Sequence, residues 1–109
     1  MKKRMPVHTV RPAIINITLP AAIRVYDQME NPSYDDAIAI WVLQDQMIYM
    51  REELKFACSE KIFNDEMMDR AEDFESYSDA VCDASYYAGE MKNALAEYLS
   101  LREKLFALL

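Results

Sequence analysis

The side chains able to do chemistry in this chain are few and poorly placed for it. His8 is the single histidine and lies between Val7 and Thr9, and the cysteines, Cys58 and Cys82, have no histidine near them. Nucleophilic and acid–base catalysis need such groups held together with tuned pKa values. His8 therefore reads as a surface residue and each cysteine as a small buried hydrophobe. No Cys-x-x-Cys, His-Glu-x-x-His or Glu-x-x-His pattern occurs, so no ligand set for zinc or a di-iron centre is present in the sequence. Carboxylates are plentiful: Asp35-Asp36, Asp65-Glu66, Asp69 with Asp73, and Asp79 with Asp83. Pairs at i,i+4 project from one helix face. Magnesium chemistry, however, also needs a base or a glycine loop to position phosphate, and the chain has one glycine. The expectation is a protein that is no enzyme and holds no metal or cofactor.

What the carboxylates can do is bind. The chain carries 19 Asp and Glu against 12 Lys and Arg, a formal charge of -7. The charge is segregated. Residues 1–24 hold five bases and no acid, while residues 25–109 hold all the acids against seven bases. Between Ile62 and Met91 nine acids face only Arg70. On a helix, Asp69, Asp73, Asp79, Asp83, Glu90 and Glu97 fall roughly along one side, opposite a Phe74, Val81, Ala88, Leu95 stripe. The row from Asp69 to Asp83 would span about 21 Å. Tyr87, with Tyr77, Tyr86 and Tyr98, adds side chains that combine apolar contact with hydrogen bonding. The expected partner-binding residues are Asp69, Asp73, Asp79, Asp83, Tyr87 and Glu90, and the expected partner is a basic protein surface. In charge and size the chain resembles the small acidic helical proteins that phages and plasmids make against host nucleic-acid enzymes. That resemblance implies an inhibitor occupying a nucleic-acid-binding surface in place of phosphates.

The elements that must position these residues are helices. At 109 residues and 52% hydrophobic content the chain has material for one core. The division expected is a basic arm with an extended segment over 1–18 and a single helical domain over 19–109. No apolar run reaches the roughly 18 residues of a membrane span. Pro6, His8, Arg11 and Pro12 interrupt any secretory pattern after Lys2-Lys3-Arg4, so a cytoplasmic location is expected.

Ala13–Leu19 is short and β-branched, which suits a strand or extended segment. Pro20 suits a first helical turn, so a helix is predicted from Pro20 to Glu30, stopped by Asn31-Pro32. Ser33 with Asp36 has capping-box spacing. A long helix follows, with Ile40, Leu43, Met47, Met50, Leu54 and Ala57 inward, ending near Lys61 or Phe63 before a cap at Asn64. The remainder reads as helix on a Phe74, Tyr77, Val81, Ala84, Ala88, Met91, Leu95, Tyr98, Leu105 and Leu109 stripe. A break is predicted near Ser76, with Asp79 in capping-box position, or at Gly89. The resulting fold class is all-α, a helical hairpin or small bundle with a basic extended or short β N-terminal segment. The C-terminal Leu99, Leu101, Leu105, Phe106, Leu108 and Leu109 exceed what one hairpin covers, so a homodimer is expected.

Basic arm, Ile14-Ile15-Asn16-Ile17-Thr18, Leu19-Pro20, short helix, turn and second helix succeed one another over residues 9–50. This order resembles the ribbon-helix-helix family of dimeric DNA-binding proteins. The resemblance implies base contacts from Asn16 and Thr18 and phosphate contacts from Lys2, Lys3, Arg4 or Arg11. It also implies that the acidic helices serve a second partner, as in antitoxins. A third expectation, a structural or assembly role, follows from packing alone.

Overall fold

The computed structural model describes residues 19–109, which form three helices and no strand: α1 (Pro20–Gln28), α2 (Tyr34–Arg70) and α3 (Phe74–Phe106). The chain is all-α over this span. The predicted strand and the arm residues Lys2, Lys3, Arg4, His8, Arg11, Asn16 and Thr18 lie outside the described residues. Two compact units are present. One contains the residues up to Ile48 together with Leu99–Leu109; the other is Tyr49–Tyr98.

In the first unit, Pro20 opens α1 as expected, where its missing N–H is not needed. Leu19 is the N-cap and has no side chain to offer, so the cap is supplied from elsewhere. The buried Leu19 N–H donates to Gln44 Oε1 at 3.1 Å. Leaving such a donor unpaired costs about 1–3 kcal/mol, which accounts for a glutamine only 2% exposed in an apolar stripe. α1 stops at Gln28 rather than Glu30 because Met29 is already extended. Asn31 then takes a positive φ of 49°, a conformation asparagine tolerates, before the buried Pro32. The predicted capping box forms reciprocally. The Ser33 N–H donates to Asp36 Oδ2 at 2.7 Å and the Asp36 N–H to Ser33 Oγ at 3.2 Å.

α2 does not end at Lys61 or Phe63 but runs unbroken to Arg70. Asn64 is no cap. Its Nδ2 donates to the Glu60 carbonyl one turn back at 2.8 Å, and a Lys61–Asp65 ion pair of 2.7 Å spans the same turn. No Gly or Pro interrupts this stretch.

The break near Ser76 is present, three residues earlier than its expected cap. Asp73, not Ser76, caps α3: its Oδ1 accepts from the Ser76 N–H at 2.7 Å, and the Ser76 hydroxyl donates to Oδ2 at 3.2 Å. The N–H and hydroxyl of Ser76 hold the Asp73 carboxyl below its ordinary range. A carboxyl depressed by folding stabilises the fold above its unfolded pKa and loses that contribution as pH falls through the folded value. Asp73→Asn should therefore lower the urea midpoint at neutral pH, and its difference from the parent should shrink as the pH falls through the depressed pKa of Asp73.

Gly89 sits inside α3 with negative φ, and a Cβ placed there meets nothing within 4 Å. It is therefore not a break. Gly89→Ala should stabilise the protein by about 0.5–1 kcal/mol, seen as a higher thermal midpoint.

The cores of the two units differ in kind. The first buries Leu19, Ala22, Val25, Tyr26, Ala37, Ile40, Met47, Leu101 and Leu105. Of the C-terminal residues assigned to a dimer, Leu101 and Leu105 are buried within the unit, Phe106 and Leu108 are half-buried, and Leu99 and Leu109 are exposed. In the second unit the buried apolar residues are all alanines, Ala57, Ala80, Ala84 and Ala94, with Asn64. The inward seam of α3 is Ala80, Ala84, Tyr87, Met91, Ala94, Tyr98, Leu101 and Leu105, at steps of four and three. The predicted stripe coincides with this seam at Ala84, Met91, Tyr98 and Leu105 and departs from it elsewhere: Phe74, Tyr77, Leu95 and Leu109 are exposed, and Val81 and Ala88 are half-buried beside it.

Candidate functional site

Within Tyr49–Tyr98, α2 and α3 face each other through small residues and leave their large ones at the margins. Tyr49, Phe56, Ile62, Phe63, Met67, Phe74, Tyr77, Tyr86 and Leu95 are all exposed. This unit also holds thirteen Asp and Glu against five Lys and Arg. Apolar rings exposed in an acidic field are the feature that packing alone does not explain.

Two of them, Phe56 and Tyr86, meet at one cleft. A cleft of about 300 Å³ lies between the helices, lined by Met50, Glu53, Phe56 and Ala57 from α2 and Tyr86, Tyr87, Glu90, Asn93, Ala94 and Glu97 from α3. Each set follows from helical spacing. Residues 50, 53 and 57 share a side of α2; 87, 90, 94 and 97 share a side of α3. Tyr87 stands at the centre of the aromatic wall. Its ring makes T-shaped pairs with Phe56, with centroids 6.2 Å apart and planes at 79°, and with Tyr86 at 5.1 Å and 80°. Desolvation raises the Tyr87 phenol above its ordinary pKa, and the negative charges of Glu60, Asp83 and Glu90 add to it, together with Tyr86. The phenol therefore remains a neutral donor throughout the neutral range.

The wall is uncompensated. No Lys or Arg lines the cleft. Elsewhere on α2, Lys55 pairs with Glu52 at 3.5 Å and Lys61 with Asp65 at 2.7 Å. Among the described residues, no group of three His, Cys, Asp or Glu converges closely enough to hold a metal ion. Cys58 is half-buried, and Cys82 is exposed rather than buried as expected; both thiols are free. No helix among the described residues is long and apolar enough to cross a membrane.

The residues expected to form one acidic face are therefore divided. Tyr87 and Glu90 line the cleft, and Asp83 acts on Tyr87 through its charge. Asp83, Glu90 and Glu97 lie beside the buried seam, each one position before Ala84, Met91 or Tyr98, and not opposite it. Asp69 and Asp79 are exposed and outside the cleft lining. Asp69 ends one helix while Asp73 caps the next, so they do not share a helix face as their spacing suggests. Glu53, Phe56 and Asn93 were missed. Their helical positions beside Met50, Ala57 and Ala94 were readable, but only the pairing of α2 with α3 gives them common company.

Comparison with protein-family models, with curated proteins and with solved structures finds no match to this chain.

Proposed function

We propose that this chain is a non-enzymatic binding protein whose acidic hairpin, Tyr49–Tyr98, captures a basic protein surface, of the kind that otherwise holds nucleic acid. One observation carries the reading: a cleft walled by three aromatic rings and three carboxylates, with no cation in its lining. Carboxylates steer a basic partner and fix its register, while the rings supply desolvated contact area. An assembly role predicts no such concentration of unpaired charge beside exposed rings.

The experiment is affinity capture by the full chain with and without nuclease, followed by measurement of affinity for the captured protein at rising salt. The reading requires nuclease-resistant capture of a basic protein, binding that weakens with salt, and competition by duplex DNA for the same surface. Partner binding that ignores both salt and the neutralisation of Glu53, Glu90 and Glu97 would remove the acidic hairpin from the function. DNA captured without protein would move the function to the basic residues of the ribbon-helix-helix resemblance.

A further inference from the structure

We propose that the α2–α3 cleft of the hairpin is a guanidinium seat. It takes an arginine side chain of the basic partner between the Phe56, Tyr86 and Tyr87 rings and the carboxylates of Glu53 and Glu90. This rests on the reading of the hairpin as a binder of basic surfaces and names what its cleft receives.

Three observations define the occupant. First, the lining is negative twice over: aromatic faces attract cations through their quadrupole, and Glu53, Glu90 and Glu97 make no ion pair among the described residues. Second, among the described residues no group of three His, Cys, Asp or Glu could hold a metal ion, so the cationic occupant proposed for this cleft is an organic one. Third, Phe56 and Tyr86 remain 58% and 60% exposed, and about 300 Å³ accommodates a side chain rather than a helix or strand.

Arginine meets these demands better than lysine. Its guanidinium is planar, stacks on aromatic faces, is more weakly hydrated than an ammonium and donates in a fork that suits carboxylates. A lysine ammonium gains from the carboxylates but must surrender a tighter hydration shell against the rings. The cleft should therefore discriminate by shape and hydration as well as by charge.

The test is titration of the full chain, with aromatic resonances followed by NMR, using three hexapeptide amides identical except for two arginines, two lysines or two citrullines. The arginine peptide should shift Phe56, Tyr86 and Tyr87 saturably and bind about two- to fivefold tighter than the lysine peptide. Citrulline, which keeps the shape without the charge, should not bind measurably. Tyr86→Leu changes an exposed residue, and its fold is checked by circular dichroism; it should bring the arginine affinity down to that of lysine.

Equal affinity for arginine and lysine, unchanged by Tyr86→Leu, would overturn the guanidinium seat and leave the acidic binder standing on charge alone. Shifts that map away from the three rings would overturn it equally. Loss of salt-sensitive partner capture, with arginine-selective shifts intact, would instead overturn the larger reading. The wild-type comparison of the peptides stands even if the variant fails to fold.

Discussion

Leu105→Ala is expected to destabilise the protein by about 2–5 kcal/mol, whereas Leu95→Ala should change stability by less than about 1 kcal/mol. Both leucines occupy the apolar stripe that the spacing of α3 suggests, so sequence pattern alone treats them alike. The structure separates them. Leu105 is completely buried in the unit that also buries Tyr26, Ile40 and Met47, while Leu95 is 45% exposed. Truncating a buried leucine removes its transfer free energy and leaves a cavity that close-packed neighbours fill only in part. A domain of this size is typically stable by about 5–15 kcal/mol, so the loss is a large fraction of the total. Urea denaturation of the two variants decides the matter. Comparable losses would mean that the α3 seam runs along the Leu95 side and that the described seam is wrong.

Neutralising Glu53, Glu90 and Glu97 together to glutamine should weaken partner binding by about 10- to 100-fold without loss of fold. Each exposed interfacial charge contributes about 0.5–1 kcal/mol to a complementary contact, and three in one cleft act on one bound group. The side chains keep their size, and all three are exposed, so their removal leaves the alanine seam untouched. The effect should shrink as salt rises, because part of it is screened. The informative control is Asp69→Asn with Asp79→Asn, which removes two charges outside the cleft lining. An equal loss in that control would mean that the whole acidic surface, and not the cleft, does the binding. Thermal midpoints of both variants report whether any loss reflects unfolding.

The helices were legible because their punctuation is local. Pro20, the Asn31-Pro32 stop and the Ser33–Asp36 box act within a few residues, and each lies where the sequence places it. Asn64 misled because asparagine serves two roles, capping a helix from outside or bonding the preceding turn from within. What selects the second here is the neighbouring Lys61–Asp65 pair and a helix-forming stretch beyond it. Ser76 misled because it was paired with Asp79 as a cap, whereas Asp73 caps the helix and both the N–H and the hydroxyl of Ser76 donate to its carboxylate.

The site was half legible for a different reason. Reading large apolar residues as the inward stripe is sound where a helix packs on bulky partners, as in the first unit. In the hairpin the fully buried apolar positions are alanines, with Tyr87, Met91 and Tyr98 half-buried between them and Phe74, Tyr77 and Leu95 exposed, so the rule is right for only part of the stripe. Tyr87 and Glu90 were found through their residue types. Glu53, Phe56 and Asn93 have unremarkable types, and their importance comes from a partner helix some thirty residues away in sequence.

Chain connectivity adds a kinetic consequence. The first unit is discontinuous, joining residues up to Ile48 with Leu99–Leu109, and everything between belongs to the hairpin. Bringing Leu105 into the company of Ile40 and Met47 therefore requires closing a long loop, and that entropy falls due before the contacts are made. The hairpin asks much less, since Ala71, Glu72 and Asp73 alone connect its helices. Once formed, it shortens the effective length of the loop that the first unit must close. The expected order is hairpin first and closure second, so Leu105→Ala should appear almost wholly as faster unfolding, with the folding rate unchanged.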